Sequence, residues 1–449
     1  MKKIYMKFVI MLFCVLPVYG QTAQTPQRLN PEMAVEMALR NNLNLEAART
    51  GLDIRRRRSD LAWNQFLPGA AVTGTLLRDN VASTTMGFTI PQWHMNGAFT
   101  ASLDLSFALF EGIRSLRRDY EAGRISHERT KLQMEQGVRK MYNSILLLEA
   151  NVDLLRESFF NAQRQAEIAE ANFRAGLAPR LTWLQAQVAV ENMRPTVNNL
   201  ENNLKTLMGN FALLLGLPFD TPIELESLNL EEKDISMNVN ELISRAVSQK
   251  PDIMEMKASI QTLQSQQKAL NLQQFTPFLR LGWNLSYLFN PMLDPLSDNL
   301  FTGDNWNRGG NFSVTMGMNL NNFLPFAREG QQRRDMEANL QIQSIRLAQM
   351  IRETELEVFT KLASLENVLA TVEAQRAAVG LAEESYRLTE EAYRAGLQDF
   401  QAVQGAALAL DQARLQLLTQ QFNFFNDLID LEYAIGVPFG ALSNIGSTR

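Results

Sequence analysis

Cysteine is almost missing from this 449-residue chain: Cys14 stands alone, and His94 and His127 are its only histidines. A disulfide framework needs pairs, so stability must come from packing. Two histidines far apart, with no second cysteine, have no spacing suited to a transition-metal site. Twenty-four glycines and 15 prolines are too few and too scattered for a collagenous or low-complexity chain. With 46% hydrophobic and 20% charged residues it is also unlike a disordered one. Basic excess is lacking too: 43 Lys and Arg face 48 Asp and Glu, and no stretch is basic enough to hold a nucleic-acid backbone. Nucleic acid is therefore not an expected partner. There is no phosphate-binding loop, dinucleotide turn, metalloprotease helix or nucleophile elbow. The many carboxylates suit solvated helix flanks, so neither catalytic residues nor a cofactor are expected.

No apolar run is long enough to span a bilayer as a helix; the longest, from Phe8 to Leu16, follows Lys2, Lys3 and Lys7 and precedes Val18-Tyr19-Gly20. Those are the three regions of a secretory signal cut after Gly20. Phe13 precedes Cys14 where a lipoprotein signal needs a small residue, which disfavours lipid attachment. Losing three lysines and no acid takes the net charge from -5 to -8.

The remainder repeats itself. Phe173-Arg174-Ala175-Gly176-Leu177 returns as Tyr393-Arg394-Ala395-Gly396-Leu397, and Gly216-Leu217-Pro218-Phe219 as Gly436-Val437-Pro438-Phe439. Arg117-Arg118-Asp119 is answered by Arg333-Arg334-Asp335. A unit of this length is too long for a solenoid repeat and reads as a duplicated half-molecule. The expected division is a signal at 1–20, one unit over 21–220, a second over 221–440 and a short tail at 441–449.

Each unit holds a strand pair. Phe99, Ala101, Leu103, Leu105 and Phe107 alternate with Thr100, Ser102, Asp104 and Ser106. In the second unit Leu279, Leu281, Trp283, Leu285 and Tyr287 alternate with Arg280, Gly282, Asn284 and Ser286; Phe312, Val314, Met316, Met318 and Leu320 alternate with Ser313, Thr315, Gly317 and Asn319. A weaker partner falls near residues 70–77, and polar loops over 78–97 and 290–310 join the pairs. Alternation alone leaves open whether the apolar face meets lipid or a second sheet; strands of about ten residues with aromatics near their ends favour lipid. Four strands cannot close a barrel, so the membrane reading requires several chains to pool theirs.

Between the strand pairs the period becomes helical. Val138, Met141, Ile145, Leu148, Val152, Leu155, Phe159, Ala162, Ala166, Ala169 and Phe173 step by three and four along a proline-free stretch, 113–175. Ala186, Val190, Met193, Val197, Leu200, Leu204, Leu207, Phe211 and Leu214 carry the seam back, and the second unit repeats the device from Val358 to Leu431. This predicts antiparallel coiled-coil hairpins, with a kink at Pro195 that Leu415 does not share.

An export signal, two such units and Arg-Ala-Gly-Leu at both hairpin tips together resemble the TolC-like outer-membrane efflux protein family. Asn30-Pro31-Glu32 leading to Ala38-Leu39-Arg40-Asn41-Asn42 looks like the family's opening helix; Leu109-Phe110-Glu111-Gly112 and Leu324-Pro325-Phe326 look like its strand-to-helix junctions. The resemblance implies a mainly α protein with membrane β: a homotrimer pooling its strands into a shared 12-stranded outer-membrane barrel, above a periplasmic α-barrel of helical hairpins. It implies tips, Arg174, Ala175, Gly176, Leu177, Arg394, Ala395, Gly396 and Leu397, that dock a periplasmic membrane-fusion adaptor bound to an inner-membrane pump or secretion transporter. Thr100, Ser102, Asp104, Ser106, Arg280, Asn284, Ser286, Ser313, Thr315 and Asn319 would line a watery lumen if the apolar faces meet outer-membrane lipid. One departure is plain: where some members carry acidic rings six and nine residues past the tip glycine, this chain has Thr182, Gln185, Ala402 and Gly405. A charge latch would have to use other groups, such as Arg180 or Asp399.

Bland readings stand beside these. Gly176 and Gly396 can be helix C-caps, since glycine takes the left-handed conformation freely. Arg55 to Arg58 suggest a phosphate or lipid-headgroup site, but four consecutive helical residues point all round, which favours a solvated face. Met141, Met193, Met316 and Met318 are ordinary apolar filling rather than metal ligands. The function expected is a passive exit duct for efflux or type I secretion; the alternative is a periplasmic coiled-coil spacer.

Overall fold

The computed structural model describes residues 27–78, 80, 84–85, 88–89, 93–227, 238–289, 306–324 and 326–442. The signal segment and Cys14 lie outside them. In the first unit, β1 (Gln27–Leu29), α1 (Pro31–Asn41) and α2 (Leu43–Asp60) lead through a 3-10 turn (Ala62–Phe66) to β2 (Gly69–Arg78), then the two-residue strands β3 (Thr84–Thr85) and β4 (Phe88–Thr89) and β5 (Trp93–Leu105). The hairpin follows: α3 (Ala108–Arg174) and α4 (Arg180–Leu214). The second unit runs β6 (Ile223–Leu225), α5 (Val239–Gln249), α6 (Pro251–Phe275), β7 (Phe278–Phe289), β8 (Trp306–Gly317), α7 (Arg328–Arg394) and α8 (Phe400–Ile435).

The outbound helices have 67 residues each, about 100 Å at 1.5 Å per residue. No residue of either predicted seam is fully exposed: Val138, Ile145, Val152, Ala169, Ala186, Val190, Val197 and Phe211 are buried, as are Val358, Leu365, Val368, Val372, Leu410, Phe424 and Leu431, and the others are half-buried. α4 continues through Pro195, which forgoes one backbone bond. The opening helices start where the sequence supplies caps. Asn30 Oδ1 accepts from the N–H of Met33 at 2.8 Å, with Pro31 at the first helical position. Asn42 accepts from the N–H of Asn44 at 2.9 Å, and its amide donates to the carbonyl of Leu214 at 2.8 Å, tying the opening helices to the hairpin's far end.

All four ends of repeated sequence close alike. Leu177 donates to the carbonyl of Asn172 at 2.8 Å, Leu217 to Ala212 at 2.8 Å, Leu397 to Ala392 at 2.9 Å and Val437 to Glu432 at 3.1 Å, each across a glycine at positive φ. The two kinds of glycine differ in surroundings. A Cβ on Gly176 or Gly396 would meet nothing, whereas on Gly216 it would come within 2.5 Å of the Asn41 carbonyl and on Gly436 within 2.6 Å of that of Gln249.

One core surrounds Tyr142, Phe211, Leu29 and Ala34; another surrounds Leu242, Val358, Leu365 and Leu431. Tyr142, fully buried, lies 2.7 Å from the Glu226 carbonyl and 3.0 Å from that of Leu29, closing the parallel β1–β6 pair against α3. A polar network joins the two units. Lys361 reaches Asp427 at 2.7 Å and Asp430 at 2.9 Å, Lys140 reaches Asp430 at 2.9 Å, and Asn143 donates to Asn426 at 3.0 Å. Burial alone would raise the Asp430 carboxyl, but Lys361 and Lys140 hold it below its ordinary 3.8. Burial alone would lower Lys361, but Asp427 and Asp430 hold it above 10.5.

The sheet has order β2-β5-β7-β8, antiparallel throughout, so β5–β7 joins the units and β2 and β8 are its edges. Its strands differ from the sequence reading at their ends. β5 begins at Trp93 and β8 at Trp306, inside the expected loops. β5 stops at Leu105 because Ser106 accepts from the N–H of Leu109 at 3.1 Å, opening the turn into α3. β8 stops at Gly317, before the 3-10 turn Leu320–Phe323.

Two predictions follow from these contacts. Replacing Gly176 by alanine forces only an unfavourable φ and should cost about 1 kcal/mol. Gly216→Ala adds a clash with backbone and should cost at least twice as much, read as loss of helical circular dichroism on heating in mild detergent; equal losses would remove the packing role. Since Asp430 is depressed, its contribution is complete above pH 3.8 and lost as pH falls below that; since Lys361 is raised, its contribution is complete below pH 10.5 and lost above it. Lys361→Gln should lower stability at pH 7 by about 2 kcal/mol and flatten the acid limb of the stability profile.

Candidate functional site

At the hairpin tips, Phe173 stacks on Trp183 with centroids 5.6 Å apart, and Tyr393 tilts against Phe400 at 6.2 Å. Phe400 is buried together with Ala169 and Ala186, so the second hairpin's returning helix seats on the first hairpin. Arg174 pairs back onto Glu170, and Arg394 onto Glu390 at 2.6 Å. Both arginines stay exposed beside an apolar pair at each tip: Ala175 and Ala395 are exposed, and Leu177 and Leu397 are 78% and 79% exposed. The cap reading of the glycines holds, and the same cap is what lifts each leucine out. Of the latch candidates, Asp399 caps α8, accepting from the N–H of Ala402 at 2.8 Å, while Arg180 opens α4 in the open.

The sheet register shows which strand candidates share a face. Thr100 faces Asn284, Ser102 faces Gly282 and through it Ser313, and Asp104 faces Arg280 and through it Thr315. With Ser286 these nine share one face; Ser106 and Asn319 lie past the ends of β5 and β8. Asp104 and Arg280 pair, one of their two contacts at 3.1 Å, and are the only Asp, Glu, Lys or Arg on that face of the four strands. The other face is uncovered and apolar but for Arg78 and Arg308 at the end away from the helices: Val72 is 82% exposed, Phe312 68% and Met316 72%. Phe99 and Trp283 meet edge-on across it at 5.8 Å. Among the described residues no cluster of His, Cys, Asp or Glu could hold a metal, and no helix is long and apolar enough to cross a membrane.

The sequence profile of outer membrane efflux proteins matches residues 34–217 and 242–437. The chain belongs to the outer membrane efflux protein family. Membership assigns it to the outer membrane as an efflux component rather than an enzyme, and the soluble-spacer reading falls. Its fold is that of solved family structures. It is similar to the CmeC outer membrane channel of Campylobacter jejuni (17% identity, 90% of this chain and 85% of that one, TM-score 0.74). It is similar also to VceC of Vibrio cholerae (17%, 91% and 96%, TM-score 0.71) and to the open state of the MtrE outer membrane channel of Neisseria gonorrhoeae (18%, 91% and 89%, TM-score 0.67). The toxin and drug export protein A of Aggregatibacter actinomycetemcomitans is 25% identical over 254 residues, 56% of this chain; the match spans 55% of that relative's length.

Sequence reasoning missed Tyr142 and the Lys361–Asp430 network, because a polar residue next to a seam has no periodic signature. It also missed Lys250, buried before the helix-starting Pro251 and paired with Glu357, where the first unit has Asn42 before Leu43. With no acid at the two ring positions, the closed channel should be weakly cation-selective or unselective. Planar-bilayer recordings should show little block by multivalent cations; strong block would overturn this.

Proposed function

We propose that this chain is the exit duct of a tripartite efflux or type I secretion machine, three copies forming one conduit. The observation that carries this reading is a sheet with an uncovered apolar face and two unpaired edges, mounted on two hairpins about 100 Å long. Three such sheets give twelve strands, within the range of outer-membrane barrels. The polar face from Thr100 to Thr315 then lines the lumen, and the hairpins of 21–220 and 221–440, two copies of one unit, form the periplasmic tube. At its end Arg174 to Leu177 and Arg394 to Leu397 meet a membrane-fusion adaptor, and an inner-membrane pump or transporter supplies the energy. The name of the toxin and drug export relative supports this assignment, and toxins or drugs are the cargo classes it suggests.

The leucines presented by each cap have small alanines beside them, which leaves room for a partner's side chain. Ala175→Trp with Ala395→Trp should abolish drug resistance in cells deleted for the native duct, while particle mass in mild detergent still reports trimers. Lost trimers would reduce the tips to helix caps; intact resistance would move docking elsewhere. A water-soluble monomer in the periplasmic fraction of the unaltered protein would overturn the duct itself.

A further inference from the structure

The four consecutive arginines of α2 are unequal in the structure. Arg55 faces α3: its guanidinium lies 3.6 Å from Asp119, and its stem occupies the space over Gly123, where a Cβ would come within 2.6 Å. Arg56 pairs with Asp60 at 3.6 Å. Arg57 and Arg58 are exposed and, among the described residues, make no ion pair. Two contacts set their level. Arg55 meets Asp119 and Gln65 lies against Gly112, so α2 packs antiparallel to α3 and brings Arg57 and Arg58 beside Arg117. That level is about 14 Å below the start of α3. The second unit carries its cations on α7 instead: Arg333 lies over the Phe275 ring at 5.4 Å, and Arg328 and Arg334 are exposed.

Segments 54–67, 108–119, 264–277 and 320–337, which adjoin the strands on the helical side, together hold eleven Lys and Arg against six Asp and Glu, in a chain whose net charge is -5. Within and beside this collar, on the side toward the sheet, lies an uncovered aromatic band. Trp63 is 55% exposed, Phe107 60%, Phe110 63% and Phe326 77%, and a cavity of about 530 Å³ lined by Phe66, Phe107, Phe110 and Leu279 opens in it. Aromatics at the interface with cations one headgroup layer beyond match the order of an acyl region, a glycerol region and phosphates.

We propose that this collar binds anionic phospholipid of the periplasmic leaflet, phosphates on Arg57, Arg58, Arg328 and Arg334 and acyl chains along the aromatic band. The proposal rests on the barrel reading above. Guanidinium forks hold phosphate oxygens in pairs, and a local positive surplus in an acidic protein needs a counter-charge that the described residues do not supply at Arg57 and Arg58.

The test uses the purified particle in mild detergent with added phosphatidylglycerol or phosphatidylcholine, reading the temperature of trimer dissociation and, by native mass spectrometry, the lipid retained. Phosphatidylglycerol should raise the dissociation temperature a few degrees above phosphatidylcholine. Arg57→Gln with Arg58→Gln should lose most of that difference, Arg328→Gln with Arg334→Gln should lose part of it, and Arg194→Gln, on α4 far from the strands, should keep it. Equal response to both lipids, or a retained difference in both double variants, would overturn the proposal and leave the barrel intact. The same gain from inorganic phosphate at equal concentration would overturn it by assigning the site to a free anion. A particle that is soluble without detergent and retains no lipid would instead sink the barrel reading.

Discussion

The edge of a β-sheet carries a row of unpaired N–H and C=O groups, and hydrocarbon offers them no partner. On the proposed arrangement, that constraint governs the rest of this molecule. β2 and β8 are edges within one chain, and the face between them is covered with side chains such as Val72, Phe312 and Met316 that water would drive together. Exposed face and open edges demand opposite surroundings: the first wants lipid, the second forbids it until another strand is present. Only closure by further copies satisfies both. The helical part must then bring the copies into register, because a sheet displaced by one residue would turn its polar face outward.

Long helices alone do not supply that register, since a heptad seam of alanine, valine and leucine tolerates sliding by whole turns. Within one chain the polar groups on the seam's flanks fix it, so that each copy presents a rigid set of helices to the next. Lys361 bridges Asp427 and Asp430, Lys140 shares Asp430, and Asn143 meets Asn426, so α3, α7 and α8 fit at one axial setting. A shift of one turn would strand half-buried carboxylates without cations, a cost well above the loss of a few methylene contacts. Tyr142 does the same for the chain's entry, fixing the β1–β6 pair against the first hairpin. Glu432 does it for the exit: it is buried, burial pushes its carboxyl up, and it accepts from the N–H groups of Gly440 at 2.9 Å and Leu442 at 2.8 Å.

Period and repetition carry far in the sequence where one physical cause acts on every third or second residue. The seams from Val138 to Phe173 and from Ala186 to Leu214 could be read because each position faces the same neighbour helix. β5, β7 and β8 could be read because their two faces differ in polarity. β2 was faint because Gly69, Ala70, Ala71 and Gly74 offer little contrast between faces. Ser106 and Asn319 were misplaced on the strands because alternation runs on by chance past the turn that ends pairing. Tyr142, Lys250 and Lys361 were invisible because each acts through one partner distant in sequence. The arginines of α2 were visible as a run, but their inequality depends on Asp119 and Gly123, residues of another helix.

Comparing the two units separates what geometry dictates from what partners choose. Glycine returns wherever a helix ends in a left-handed turn, at 176 and 396 and at 216 and 436, and no side chain could replace it at the latter two without meeting backbone. Side chains that bridge to neighbours diverge instead: Asn42 gives way to Lys250, and Trp183, stacked on Phe173, to Val403. A trimer of duplicated chains is thus nearly sixfold in its backbone and only threefold in its contacts, so the two hairpins of one chain can respond differently to the same partner. The sheet face between Thr100 and Thr315 has one balanced charge pair, Asp104 with Arg280, and otherwise only small polar or neutral groups. As a lumen lining it would offer cargo of either sign no strong foothold. On the proposed arrangement a duct built so would not select what passes, which would leave selection to whatever docks at the tips.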